Sequence, residues 1–214
     1  MGTDIHGVFQ RKDAETQKWA DVSSAYEQNR HYQLFAVLAG VRNGIGFAGC
    51  RTGEEVEPIA EPRGLPSDFE LTDDCHPLAR LDLMDPRRRK WAEEGEPISV
   101  WMGDHSHSWL TGAEILAWAD KSLSVEQCGF ITRAEYDTWE PGTRPKNGYC
   151  GGIAGPNVVT ITDSAEEKRA FPDWTHIRVR WSSNLSDELE YFLDEIRRLT
   201  NEHGEIRFVF GFDS

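Results

Sequence analysis

The segment DELEYFLDEIRRLTNEHGEIRFVFGF, residues 187–212, carries the clearest signals of the fold. Asp187–Asn201 is predicted to be a helix because apolar residues recur there at the spacing of one helical face. That face comprises Leu189, Phe192, Leu193, Ile196 and Leu199. Ser186 is the expected N-cap, and Gly204 is the expected end of the helix. Ile206–Phe212 is predicted to be a strand whose phenylalanines share one face.

The segments outside this stretch extend the pattern to an α+β fold. Alternation over His176–Ser182 predicts a strand, which with the following helix and strand suggests a right-handed β-α-β unit. Near the N-terminus, Asp4–Gln10 is predicted to be a strand, Trp19–Val22 its hairpin partner and Tyr32–Val41 a helix that Gly44 stops. We therefore expect a single α+β domain over residues 1–214, with a mixed, largely antiparallel sheet packed by helices.

Capping signals and loops complete this outline. Capping boxes at Thr111–Glu114 and Thr132–Glu135 each predict the start of a helix. A short helix is expected around Pro86–Glu94. Residues 43–75 and 140–157 are rich in glycine and proline and are predicted to be long loops.

Composition narrows the classes of partner. The 214 residues include 23 Lys and Arg against 37 Asp and Glu, a formal net charge of −14. This negative field disfavours general nucleic-acid binding. No apolar run approaches the roughly 20 residues that a membrane-spanning helix needs. The 4 cysteines lack C-x-x-C spacing, and no signal peptide is recognised, so we expect a cytoplasmic protein with reduced thiols.

The main candidate site is the segment DHSHSW, residues 104–109. In an extended strand His105, His107 and Trp109 would face one way, and two imidazoles at this spacing can share a metal ion. Asp104 could ligate or orient a ring.

Asp4 and His6 form a similar pair on the first strand. The predicted metal ligands are therefore Asp4, His6, His105 and His107, around a divalent ion such as Zn, Mn or Fe. The alternative is that these histidines are ordinary hydrogen-bonded loop residues.

Named motifs do not add a mechanism. The H-x-H-x-D-H pattern of metallo-β-lactamases is excluded, because Trp109 and Leu110 occupy its last two positions. The cupin pattern needs a glutamate four or five residues after H-x-H, but the nearest acid is Glu114, which belongs to a capping box. Gly44–Gly49 matches G-x-G-x-x-G, but it follows a helix and precedes none, so a dinucleotide fold is rejected.

Several of these segments resemble a known family. GTDIH at residues 2–6, LFAVLAGVRN at 34–43, PRGLP at 62–66, HSHSWL at 105–110 and FGFD at 210–213 resemble a family of uncharacterised proteins from bacteriophages and their bacterial hosts. Thr3 occupies the position where the family often has cysteine, so a role for a thiol there is not carried over. The resemblance implies a cytoplasmic location, the host cytoplasm if the chain is encoded by a phage, and no particular reaction.

The function predicted from these residues is metal-dependent hydrolysis of a small phosphate-containing molecule, for example a nucleotide signal. The ion would activate a water, while Asp104 and His107 would act in catalysis. Arg42, Arg63 and Trp109 would bind the substrate. The alternative is a non-catalytic phage-type protein that sequesters a nucleotide or inhibits a host protein, and homo-oligomerisation is left open.

Overall fold

A computed structural model describes residues 2–22, 26–28, 30–46, 49–77, 99–147 and 152–214. The strands within these ranges are β1 (Ile5–Lys12), β2 (Trp19–Asp21), β3 (Tyr26–Gln28), β4 (Cys75–Pro77), β5 (Ser99–Trp101), β6 (His105–Thr111), β7 (Ser124–Thr132), β8 (Thr160–Thr162), β9 (His176–Asn184) and β10 (Ile206–Phe212). The helices are α1 (Tyr32–Ala39), α2 (Gly112–Ala119), α3 (Arg133–Tyr136), α4 (Ala165–Ala170), α5 (Leu185–Glu188) and α6 (Glu190–His203).

The largest sheet has five strands, and β10 lies near its centre. Its order is β2-β1-β10-β6, and β3 also pairs with β1. Each of these pairings is antiparallel. Every residue of β10 is buried, because its neighbours β1 and β6 cover both edges and other elements cover both faces.

The main core lies between one face of this sheet and helices α1, α2 and α6. Phe208, Phe210 and Phe212 of β10 all point into it, as predicted from their alternation, and each is fully buried. The apolar stripe of α6 packs against them. Burying a large apolar side chain contributes roughly 1.5–3 kcal/mol, so this face anchors the fold.

The opposite face of the sheet is covered by loop residues and by the small β4-β5 sheet. Val8 and Val209 pack there against Phe69, Val100 and Met102. The predicted metal ligands lie at one end of this sheet. The start of β1 and the start of β6 flank the end of β10 there.

A second sheet of three strands has the order β7-β9-β8, with an antiparallel and a parallel pairing. The α+β prediction is confirmed. The predicted strand, helix and strand at the C-terminus are also present, but β9 lies in this second sheet and β10 in the first. The two strands are therefore not joined by a right-handed crossover within one sheet. A helix can equally connect two sheets, and sequence periodicity does not distinguish these cases.

Helix ends differ from the prediction by a few residues. The end of α1 is Gly40, in the left-handed region at φ 69°, rather than Gly44. The Asn184 side chain caps α5, and α6 begins without the predicted Ser186 cap. The helix expected around Pro86–Glu94 lies outside the described residues. No helix in the described ranges has the length and apolar character to cross a membrane.

Candidate functional site

A β-bulge in β6 interrupts the predicted histidine pair. Ser106 has a φ of 51°, in the left-handed region. The register between β10 and β6 shifts at this point, from Phe210 opposite Ser108 to Phe212 opposite His105. Because a bulge adds an unpaired residue, the alternation of side chains between faces is lost here.

The two histidines consequently lie on opposite faces of the sheet. The His105 ring stacks on Phe212, with 6.1 Å between centroids, on the side of the main core. The His107 ring lies over Gly211, where a Cβ atom would be only 2.5 Å from Cδ2 of the ring. His107 Nε2 also bonds the carbonyl of Gly103 at 3.2 Å. The prediction that both imidazoles face one way is wrong.

The N-terminal pair does reach the same end of the sheet. His6 lies opposite Gly211 in the register of β1 and β10. Its Nε2 is 3.3 Å from Oδ2 of Asp213, whose other oxygen, Oδ1, accepts a bond from the backbone N–H of Asp4 at 2.8 Å. The indole of Trp101 lies 5.0 Å from the His6 ring. Asp213 is thus the partner of His6, a role that the sequence analysis did not assign.

These residues do not converge on one point. Asp4 pairs with Arg30, with 3.4 Å between Oδ1 and Nε, while Asp104 remains 4.0 Å from Nε2 of His105. Metal ligands would have to approach one ion to about 2.0–2.2 Å. Among the described residues, no group of three or more His, Cys, Asp or Glu side chains could hold a metal ion. The geometry therefore does not fit a divalent ion held jointly by Asp4, His6, His105 and His107.

Arg63 lies next to Trp109, but it also forms an ion pair with Glu114. The guanidinium lies 5.0 Å from the indole and makes two bonds to Glu114, at 2.6 and 3.2 Å. The bond from Arg63, together with the bonds from Thr111, lowers the pKa of Glu114 to about 2. Arg63 is therefore committed to the N-terminus of α2 rather than to a phosphate.

Arg42 lies in a different environment. Its Nε donates to Oγ1 of Thr3 at 2.9 Å, and its guanidinium is 5.5 Å from the centroid of the Tyr32 ring. These contacts include none of the groups around Arg63. These contacts give no support to the prediction that Arg42, Arg63 and Trp109 bind one substrate.

A buried polar cluster at the other end of β1 was missed by the sequence analysis. His76 Nε2 lies 3.1 Å from each carboxylate oxygen of Asp21, and Nδ1 bonds the Glu70 carbonyl at 2.9 Å. Gln10 links this pair to Arg207. Its Nε2 donates to Oδ1 of Asp21 at 2.8 Å, and its Oε1 accepts from Nε of Arg207 at 2.9 Å. Both ring nitrogens of His76 are occupied by acceptors, so the ring is held as a cation rather than offered as a base.

Among the described residues, an open site lies in a notch at the edge of β9. The β9 notch is lined by Tyr136, Trp139, Pro141, Gly142, Thr162, Asp163, Arg178, Val179 and Arg180. Its volume is about 370 Å³. β8 pairs with β9 as far as Arg178, and Gly142 pairs with Trp181. The notch is the gap between these two pairings.

The gap presents a backbone donor. Ser182 donates its N–H to the carbonyl of Gly142 at 3.3 Å, on the edge of β9 that faces away from β7. Backbone N–H groups two residues apart in a strand point to the same edge, so the N–H of Arg180 points into the notch. This N–H has no backbone partner among the described residues.

The notch is lined by two cations and two aromatic rings that come from opposite faces of β9. Tyr136 and Trp139 pack with its apolar face, whereas Arg178 and Arg180 lie on the other face. Arg178 donates to the Cys128 sulfur at 3.1 Å, and Arg180 pairs with Glu126 at 2.7 Å. Tyr136 and Trp139 stand 6.3 Å apart between ring centroids. Planar ligands stack on such rings, while guanidinium groups bind phosphate or carboxylate.

The single carboxylate that lines the notch is already engaged. Asp163 forms an ion pair with Lys168 and accepts a 2.6 Å bond from the Tyr136 hydroxyl. The bond from Lys168, followed by that from Tyr136, holds the pKa of Asp163 below its ordinary value. Asp163 is therefore a poor proton acceptor near neutral pH, and the notch is equipped to bind rather than to transfer a proton.

The sequence did contain a signal for this site. The alternation over His176–Ser182 was interpreted through its apolar residues, which form the buried face of β9. The other face carries Arg178 and Arg180 at i, i+2, a pair of cations in an acidic chain. Only the tertiary structure shows that Tyr136 and Trp139 line the same notch as these arginines.

Comparisons of the chain with protein-family models, with curated proteins and with solved structures find no match. The resemblance to the phage family therefore stays a prediction, and the function is argued from the site alone.

Proposed function

We propose that this chain is a non-catalytic binding protein whose β9 notch holds a small molecule with a planar ring and an anionic group, such as a nucleotide. The observation that carries this proposal is that Arg178, Arg180, Tyr136 and Trp139 all line one space of about 370 Å³ at the edge of β9. Small-molecule sites typically occupy about 300–1,000 Å³.

The anionic group is assigned to the Arg180 side of the notch. The ion pair of Arg180 with Glu126 is exposed, with 70% and 48% of the two side chains accessible, so solvent screens it and a ligand can compete for the cation. The inward-pointing N–H of Arg180 adds a second donor for the same anion. The ring of the ligand would then stack on Trp139, whose indole N–H is fixed by the Thr143 carbonyl at 2.8 Å.

Binding without chemistry is favoured over hydrolysis. The predicted metal ligands do not converge, and Asp163 in the notch is held by Lys168 and Tyr136. Metal-dependent hydrolysis of a small phosphate compound stays a prediction, and so does inhibition of a host protein. No specific contact favours either of them.

Calorimetric titration with AMP tests the proposal, with adenosine and ribose 5-phosphate as probes that lack the phosphate or the base. We expect saturable AMP binding that Trp139→Ala weakens roughly 5- to 150-fold, since stacking on an aromatic ring contributes about 1–3 kcal/mol per base. Arg180→Ala is expected to weaken AMP much more than adenosine. Trp101→Ala and Arg197→Ala are controls, because neither residue lines the notch.

Three outcomes would contradict this assignment. Absence of saturable binding of AMP, GMP and UMP would remove the nucleotide class. Equal loss of AMP binding in the control variants would place the ligand elsewhere. Release of inorganic phosphate from AMP on addition of Zn²⁺ or Mn²⁺ would restore the hydrolase prediction, whereas intact recovery of AMP supports the binding protein.

A further inference from the structure

Both cations of the β9 notch are held by contacts that lead towards β7. Arg178 donates to Sγ of Cys128 at 3.1 Å and to the carbonyl of Arg51 at 3.5 Å. Arg180 donates to Oε1 of Glu126 at 2.7 Å. Cys128 and Glu126 belong to β7, which pairs with β9 on the edge opposite to the notch. An arginine that binds an anion in the notch therefore has to leave these contacts.

The two arginines differ in how easily they can leave. Arg178 is half-buried, and its sulfur acceptor belongs to Cys128, which is only 6% exposed. Arg180 is mostly exposed, and its acid partner Glu126 is half-exposed, so water can replace either partner of the pair. The cation that an anionic ligand can recruit is therefore Arg180, and the group that the ligand has to displace is the carboxylate of Glu126.

This displacement favours some anions over others. A carboxylate on the ligand would replace Glu126 with a group of the same charge and the same two oxygens, so one carboxylate–guanidinium pair is lost for each one formed. A phosphate near neutral pH carries about −1.5 to −2 charges and three acceptor oxygens. It can accept from the guanidinium and from the inward-pointing N–H of Arg180 together, which the Glu126 carboxylate on the other edge of β9 does not do.

We infer that Glu126 is an internal competitor for the anionic group of the ligand and that it restricts this group to a phosphate. A ligand with a carboxylate gains nothing over its neutral analogue, because the resident pair of Glu126 and Arg180 is equally good. A ligand with a phosphate exceeds the resident pair. This inference names the class of ligand for the β9 notch, and it rests on the proposed function.

Calorimetric titration of the full chain with AMP, adenosine 5′-carboxylate and adenosine tests the inference at about pH 7.5, where the phosphate is mostly dianionic. For the wild type we expect AMP to bind most tightly, and the carboxylate and adenosine to bind equally. Glu126→Gln frees Arg180 from its pair. AMP and the carboxylate should then each bind roughly 2- to 5-fold more tightly, the range for an exposed ion pair, while adenosine binding is unchanged.

The substitution keeps the other contacts of this part of β7. The backbone N–H of Glu126 donates to Glu54 at 3.0 Å, and this bond does not depend on the side chain that is changed. Glu195→Gln is the matched control, because Glu195 forms a similar pair with Arg198 at 2.7 Å and does not line the notch. All three affinities should stay at the wild-type values in this control.

The outcomes separate this inference from the proposed function. Wild-type protein that binds the carboxylate more tightly than adenosine would overturn the inference in favour of Arg178 as the anion partner. AMP binding that Glu126→Gln leaves unchanged or weakens would overturn the role of Glu126 and keep the nucleotide site. The same gain in Glu195→Gln would assign the effect to overall charge. Absence of AMP binding in the wild type and in Glu126→Gln would remove both the proposed function and the competitor.

Discussion

Replacing Asp21 with asparagine tests whether His76 is a buried cation that the Asp21 carboxylate stabilises. The Asp21 and His76 side chains are only 4% and 7% exposed, and Gln10 donates to the same carboxylate at 2.8 Å. The substitution keeps the shape of the side chain but leaves the His76 cation without its counter-charge. Removing one partner of a buried ion pair typically costs about 3–5 kcal/mol.

That cost is large for a protein of this size. Domains are stable by about 5–15 kcal/mol, and 1 kcal/mol shifts the midpoint of a chain of about 150–250 residues by roughly 2–4 °C. We therefore expect Asp21→Asn to lower the thermal midpoint by about 6–20 °C at pH 6. His76→Gln should cost less, because the Asp21 carboxylate still accepts the bond from Gln10.

The pH dependence has a definite sign. Burial lowers the pKa of His76, but the bonds to Asp21 and to the Glu70 carbonyl outweigh burial, so the pKa lies above its ordinary value of 6.5. A raised folded-state pKa means that the stabilisation is complete below about pH 6.5, the unfolded value. It is lost as pH rises through the folded-state pKa. The wild type should therefore lose stability relative to His76→Gln above about pH 6.5.

Urea unfolding of the wild type, Asp21→Asn, His76→Gln and the double variant between pH 6 and pH 9 measures this coupling. The double-mutant cycle isolates the pair from the other titrating groups near it, Asp68 and Glu70. We expect a coupling energy of about 2 kcal/mol or more at pH 6 that declines towards pH 9. A coupling energy near zero at pH 6, or a pH profile unchanged in His76→Gln, would refute the assignment of His76 as a buried cation.

Three further predictions concern other parts of the fold. Gly211→Ala should destabilise the chain by at least the roughly 1–3 kcal/mol typical of overpacking, measured by urea unfolding, because the new Cβ would collide with the Met102 carbonyl; a neutral effect would contradict the tight approach. Glu114→Gln should cost about 0.5–1 kcal/mol at pH 7, since its ion pair with Arg63 is partly screened by solvent, with 32% and 36% of the Arg63 and Glu114 side chains exposed. The wild-type advantage over Glu114→Gln is present above pH 4.5 and should vanish in acid titrations towards pH 2, because the pKa of Glu114 is lowered to about 2. Leu193→Ala should cost about 2–5 kcal/mol in the same unfolding assay, since the side chain is 1% exposed, and a loss below 1 kcal/mol would contradict its place in the core.

Individual elements of this fold could be predicted from the sequence because their signals are local. The stripe of α6 and the alternation of β10 depend on residues a few positions apart, and the capping box at Thr111 involves only the next turn. The end of α1 was misplaced because Gly40 and Gly44 both adopt a positive φ, and sequence does not show which of them ends the helix.

The candidate site could not be predicted in the same way. The bulge at Ser106 separates His105 from His107, yet a bulge depends on how β6 pairs with β10 across about 100 residues of chain. Ideal alternation places His105 and His107 on one face of the strand, and the predicted metal centre depends on that alternation.

The sequence by itself determined the fold class, helices α1, α2, α3 and α6, strands β1, β2, β9 and β10, and the burial of the phenylalanine face of β10. Only the tertiary structure decided that β9 and β10 belong to different sheets, that Glu114 pairs with Arg63, and that Arg180 and Trp139 line one gap at the β9 edge. The physical reason is one of range. Periodicity and capping act over a few residues, whereas register, ion pairing and cavities arise when segments distant in sequence are packed together.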